Sequence, residues 1–175
     1  MKLKIGVFGS SGNVTEESRK KAFELGKEIA KHDCILVTGA TTGLPYEAVK
    51  GAKEGGGFVV GISPAHNLEE HVNKYGMPKE SHDVVIFTGF GRKGRNLINV
   101  RSCDASIFVS GSYGTLNEFT TAYDEGKVMG IMEGTGGVSD HLKEIVKICN
   151  KETGAKIFYD SDPRKLVEKL LEVLG

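Results

Sequence analysis

Short apolar runs alternate with amphipathic stretches along the whole chain, and many of the glycines follow the runs. Residues 5–9, 34–38, 58–62, 83–87, 105–109, 127–131 and 155–158 read as strands. Residues 18–31, 46–53, 95–103, 115–125, 139–151 and 162–174 read as helices, and Asn67 can cap a short one carrying Leu68 and Val72. The strands are short, β-branched and apolar on both faces. That pattern suits a parallel sheet covered by helices on both sides. Right-handed crossovers then give an α/β fold, a single Rossmann-like doubly wound parallel sheet of about seven strands flanked by helices. A closed barrel of this type uses roughly 250 residues, and 175 are too few. One domain over residues 1–175 is expected, with no linker and no internal repeat.

Charge removes several partners from consideration. The chain carries 23 basic and 23 acidic residues, so no bulk field attracts nucleic acid. No basic stripe is interleaved with aromatic residues, which also argues against nucleic-acid binding. No apolar run approaches the roughly 20 residues that span a bilayer, and residues 1–9 start a strand with no signal-peptide pattern. A cytoplasmic protein without a membrane partner is expected. Cys34, Cys103 and Cys149 lack C-x-x-C spacing and sit in or beside apolar runs, which predicts buried free thiols. The five histidines are scattered, with no metal-ligand spacing, so no metal is expected.

Glycine is the compositional anomaly: 24 of 175 residues, roughly twice the usual share. Many fall just after predicted strands, as the sets 9/12, 39/43, 89/91/94, 111/114 and 134/136/137. In an open α/β sheet, those strand ends form the ligand crevice. Glycine lets backbone N–H groups approach an anion, and helix N-termini add a positive dipole end. The candidate binding residues are Gly9, Ser10 and Ser11; Gly39, Thr41, Thr42 and Gly43; Gly89, Arg92 and Asn96; and Gly111, Ser112, Tyr113, Gly114 and Thr115. Arg92, Lys93 and Arg95 would form a cationic rim for a phosphate. Asn96 and Asn99 can read a sugar or a base edge. Glu118 either faces ligand hydroxyls or closes a Thr115-x-x-Glu118 capping box. The first loop is not G-x-G-x-x-G, the second strand lacks a terminal acid, and no P-loop is present, so a dinucleotide is not expected.

Taken together, Gly39-Ala-Thr-Thr-Gly-Leu44, Arg95, Asp104 and Gly111-Ser-Tyr-Gly-Thr-Leu-Asn-Glu118 resemble the lysine-decarboxylase-like, or Lonely Guy-like, family. Its signature Pro-Gly-Gly-x-Gly-Thr-x-x-Glu follows an arginine placed nine residues before an aspartate, a spacing that Arg95 and Asp104 reproduce. The resemblance implies a homodimer or higher homo-oligomer. For hydrolytic members it implies cleavage of the N-glycosidic bond of a nucleoside 5'-monophosphate, with Arg95 and Glu118 as catalytic residues. For the molybdenum cofactor carrier branch it implies retention of a phosphate-bearing, molybdopterin-type cofactor. Ser110 and Ser112 replace the proline and second glycine of the signature, and Asn96 stands where hydrolases usually have lysine. The Gly-Arg-Asn run resembles the carrier branch more closely. Binding of a phosphorylated small molecule, with no other cofactor required, is therefore expected, and phosphoribohydrolysis is the alternative. Lysine decarboxylation needs a pyridoxal phosphate Schiff base, and no lysine has a recognisable setting for one.

Overall fold

Seven strands, all parallel, form one sheet in the computed structural model, which describes residues 1–12 and 14–175. In chain order the elements are β1 (Lys4–Gly9), α1 (Glu16–Lys31), β2 (Ile35–Thr38), α2 (Leu44–Glu54), β3 (Phe58–Ser63), α3 (Leu68–Asn73) and β4 (Val84–Phe87). The second half continues with α4 (Gly91–Arg101), β5 (Ala105–Val109), α5 (Tyr113–Asp124) and β6 (Val128–Met132). A 3-10 turn (Gly137–His141) leads into α6 (Leu142–Cys149), β7 (Lys156–Asp160) and α7 (Pro163–Leu174). The strand order is β4-β3-β2-β1-β5-β6-β7. The chain works outward from β1 to one edge, then restarts beside β1 with β5. The carboxyl ends of β1 and β5 are thus the switch point of the α/β fold that the alternation predicts.

Two apolar layers cover the sheet. One packs Leu25, Ile29, Leu44 and Val49 from α1 and α2, with Leu166 and Leu170 from α7, against Ile5, Val7, Leu36 and Ile107. The other packs Val100, Phe119 and Leu142 against Phe8, Val37, Phe108 and Ile131. Strand β5, beside the middle strand β1, is buried throughout, as an inner parallel strand covered on both faces requires. The edge strand β4 departs from the both-faces-buried expectation, because it has a neighbour on one side only and Val84 and Ile86 stay exposed. Cys34 and Cys103 are buried free thiols, whereas Cys149 is exposed at the end of α6. Glu28 of α1 is buried and pairs with Lys31 at 2.7 Å.

Four helices begin earlier than their periodicity predicts. Thr15 caps α1 by accepting from the Ser18 N–H, so the helix opens at Glu16. Pro45 sits in the first turn of α2, where its missing N–H costs nothing. Helices α4 and α5 take up glycine-bearing residues, at Gly91–Gly94 and at Gly114, that read as loop in the sequence. No helix among the described residues is long and apolar enough to cross a membrane.

Helices α1 and α2 meet through glycine on both sides. A Cβ at Gly26 would overlap the Ala48 carbonyl, and one at Gly51 would overlap the Phe23 carbonyl. Backbone cannot move aside as a side chain can, so the helices would have to separate. Gly26→Ala should lower the unfolding free energy by roughly 1–3 kcal/mol in urea denaturation. Lys20→Ala, on the exposed side of α1, serves as the control and should change it by less than about 0.5 kcal/mol.

Candidate functional site

A cavity of about 460 Å³ opens at the carboxyl ends of the strands, beside the β1–β5 switch point. The loop after β1 contributes Gly9, Ser10, Ser11 and Gly12, and the loop after β2 contributes Gly39 and Thr41. Helix α4 contributes Arg92, Lys93, Arg95 and Asn96, while the start of α5 contributes Ser112, Tyr113, Gly114, Thr115 and Glu118. Phe8, Pro45 and Met77 complete the wall; neither they nor Gly12 were singled out as binding residues from the sequence. Met77 comes from the irregular stretch between α3 and β4, where periodicity carries no signal.

Four expected residues lie outside this lining and support it from behind. Thr42 Oγ1 donates to the Ser11 carbonyl at 3.2 Å, and the chain just past Gly43 bonds Ser10 through the Leu44 N–H at 2.8 Å. These bonds clasp the first two loops together. Gly89 donates its N–H to Ala65 at 2.9 Å, and the Gly111 carbonyl accepts from Val138. The loop at Gly134–Gly137 does not line the cavity either. Its Gly134 and Gly136 N–H groups donate to the Asp140 carboxylate, so an internal anion already satisfies them.

Among the described residues the helix starts differ in their capping. Side chains cap α1, α3 and α7, through Thr15, Asn67 and Asp162. Helices α2, α4 and α5, whose first turns line the cavity, have no side-chain cap. Helix α6, away from the cavity, also lacks a side-chain cap. In α5 the first intrahelical bond of this end runs from the Leu116 N–H to the Ser112 carbonyl. The N–H groups before it are therefore presented toward an acceptor from outside the chain. Thr115 lies inside the helix, so it cannot form the capping box with Glu118 that its spacing allows.

Glu118 instead belongs to a buried polar cluster. Asn99 Nδ2 donates to Glu118 Oε1 at 2.8 Å. Asn99 is fully buried and does not line the cavity, which corrects its expected role as a sugar or base reader. Asn96 joins α4 to α5 through Asn117 at 3.0 Å. Arg92 and Lys93 stand exposed at the mouth, with the Arg92 guanidinium 5.8 Å from the centre of the Tyr75 ring. Arg95 is not part of that rim. It is buried in the floor, and its Nη1 donates to the carbonyls of Gly39 and, at 3.0 Å, Ile62. Gly39 is required there, because a Cβ would overlap the guanidinium. Arg95 Nε is buried with no hydrogen-bond partner among the described residues. Asp104, the aspartate of the family spacing, works elsewhere: it accepts from the Lys4 N–H and Nζ, both at 2.8 Å, at the amino ends of β1 and β5.

The lining carries three cations and one carboxyl group. Burial pushes the Glu118 carboxyl up to about 7, against the pull of Arg95 and the Asn99 hydrogen bond. Burial also lowers the Arg95 pKa, with Glu118 opposing and Arg92 adding to the effect. The cavity is therefore electropositive inside an electrically neutral chain. No cluster of three or more potential metal ligands occurs among the described residues.

Residues 2–167 match the SLOG cluster4 family. The chain belongs to this family. A protein of Archaeoglobus fulgidus is 39% identical over 125 residues, covering 71% of this chain and 76% of its own length. A probable cytokinin riboside 5'-monophosphate phosphoribohydrolase of Oryza sativa subsp. japonica is 32% identical over 111 residues. That match covers 63% of this chain and 46% of the rice protein. Among solved structures, the molybdenum cofactor binding protein of Rippkaea orientalis aligns with TM-score 0.80 at 28% identity, over 100% of this chain and 99% of its own. The molybdenum cofactor carrier protein of Chlamydomonas reinhardtii aligns with TM-score 0.77 at 29% identity, over 99% of each. The Lonely Guy-like resemblance read from the motifs is thus shown at the level of family and fold.

The Glu118 environment has a direct consequence for stability. The folded pKa of about 7 lies above the ordinary 4.5, so between those values the folded state holds a proton that the unfolded chain has released. This contribution is fully present below the ordinary value and is lost as pH rises through the folded one. Relative to Glu118→Gln, the native chain should lose on the order of 3 kcal/mol of stability from pH 4.5 to 7.5. Paired urea titrations across that range measure it; a difference that does not vary with pH would contradict it.

Proposed function

We propose that this cavity binds a phosphorylated small molecule, a nucleotide or a pterin-type cofactor. One observation carries the reading: the uncapped first turns of α4 and α5 face a cavity lined by Arg92, Lys93 and Arg95, against a single carboxyl group. Unpaired N–H groups and guanidinium forks together suit the oxygens of a phosphate dianion. The hydroxyls of Ser10, Ser11, Thr41, Ser112 and Thr115 add further donors. The similarity to the molybdenum cofactor binding protein of Rippkaea and the carrier protein of Chlamydomonas supports the carrier form of this reading.

Binding to the native state raises thermal stability in proportion to ligand occupancy. Nucleoside 5'-monophosphates or a pterin phosphate should raise the melting temperature, while the corresponding nucleosides or unphosphorylated pterin should not. The double variant Arg92→Ala, Lys93→Ala should weaken phosphate-dependent binding at least about tenfold in isothermal titration. A panel in which phosphorylated and unphosphorylated ligands behave alike would overturn the proposal.

A second reading is favoured by the placement of Glu118 in the wall beside buried Arg95, and by the rice relative. Here water adds to the anomeric carbon of a bound nucleoside 5'-monophosphate as the N-glycosidic bond breaks. One water proton ends on the departing base, and the hydroxyl becomes the anomeric hydroxyl of ribose 5-phosphate. Glu118 would stabilise the positive charge that develops on the sugar. Chromatography of incubated nucleotides would then reveal free base, and Glu118→Gln should cut its release by at least about a hundredfold. Retention of intact nucleotide by the native chain would favour carriage over hydrolysis.

A further inference from the structure

Of the five tyrosines in the chain, four have a ring partner. Tyr46 stacks on His82 and lies under Lys50. Tyr75 is held between Lys74 and Arg92. Tyr123 stacks on Phe119, and Tyr159 lies under Lys143. Tyr113 alone has no aromatic or cationic partner among the described residues, and it is 84% exposed. It is also the one tyrosine in the cavity wall.

Its position makes the free ring informative. Tyr113 is the first residue of α5, so its ring and the uncapped N–H groups of that helix belong to one turn of chain. The nearby guanidinium that could have covered the ring, Arg92, is turned to Tyr75 instead. Phe8, the other aromatic lining residue, is 1% exposed and belongs to the core, so it offers no open face. The cavity therefore has a polar, cationic lining and a single accessible π surface at its mouth. A second residue with an unused polar group, Arg95, is 6% exposed, lines the floor, and has Nε without a hydrogen-bond partner among the described residues.

We infer that Tyr113 is the specificity-determining residue of this cavity. Its ring stacks on a planar heterocycle carried by the phosphorylated ligand, so the cavity selects a phosphorylated aromatic ring system over a sugar phosphate of equal charge. This inference rests on the phosphate-binding reading above and adds the chemistry of the non-phosphate half. Stacking on an exposed aromatic side chain tolerates any base that presents a π face. Selection by Tyr113 accordingly discriminates ring from no ring, and does not choose among planar rings.

Isothermal titration with adenosine 5'-monophosphate, ribose 5-phosphate and inorganic sulfate tests it, on the native chain and on Tyr113→Ala and Tyr113→Phe. The native chain should bind the nucleotide at least about tenfold more tightly than ribose 5-phosphate. Tyr113→Ala should bring the two within about threefold, with the nucleotide losing far more affinity than ribose 5-phosphate, and Tyr113→Phe should restore the preference. A preference that survives Tyr113→Ala, or an equal loss for both ligands, would overturn the role of Tyr113 while leaving phosphate binding intact. If none of the three probes binds the native chain, the phosphate-binding reading falls and this inference falls with it. Sedimentation of both variants supplies the remaining check: Tyr113→Ala should leave the assembly state unchanged. A change would assign the exposed ring to a contact between copies of the chain and overturn the stacking role.

Discussion

A buried guanidinium holds the working end of this molecule together. Arg95 reaches from α4 across the carboxyl ends of β2 and β3 and donates to Gly39 and Ile62. Removing a charge from water is costly unless it is hydrogen-bonded, and these carbonyls offset only part of that cost. Glu118 offsets a further part, since its attraction opposes the effect of burial on Arg95. The Gly39 loop held in this way leads into Thr42 and Leu44, which bond the Ser10–Ser11 loop. One side chain thereby links α4 to two strand ends and, through them, to the loop after β1.

The same interaction explains how a neutral chain presents a positive cavity. Elsewhere, opposite charges find each other in pairs such as Lys4–Asp104, Lys53–Asp83 and Lys169–Asp160. In the cavity wall, Arg92, Lys93 and Arg95 form no salt bridge with any described carboxylate. Three helix starts converge there without side-chain caps, whereas α1, α3 and α7 start elsewhere with them. Unfilled donors gathered at one place suit an anion, and the binding proposed for this cavity rests on them.

Much of the site was legible because glycine and charge fall at fixed places relative to the strands. The alternation located the strand ends, and the strand ends located Gly9–Gly12, Gly39 and Ser112–Thr115 in one wall. The helix starts were harder to read. Gly91–Gly94 and Tyr113–Gly114 look like loop because glycine is a poor helix former, yet first-turn positions tolerate it. Asn99 and Glu118 looked like ligand-facing groups of equal standing. Burial separates them: Asn99 stands behind the carboxyl and donates to it. Met77 and Pro45 carried no readable signal, since an apolar residue in an irregular segment has no periodicity to reveal its direction.

The sequence by itself determined the parallel α/β architecture, the family, and the ends of the strands where the cavity opens. Those properties follow from local pattern: strand periodicity, glycine placement and motif spacing. Only the tertiary structure decided which residues share the cavity and which are spent elsewhere. It put Arg95 in the floor and not at the rim, and it filled the Gly134–Gly136 loop with Asp140. It also left Tyr113 as the one tyrosine without an aromatic or cationic partner among the described residues. Those outcomes depend on how far apart in space two residues lie when they are distant in the chain. Sheet order and helix packing set that distance, and neither is written in a local run of residues.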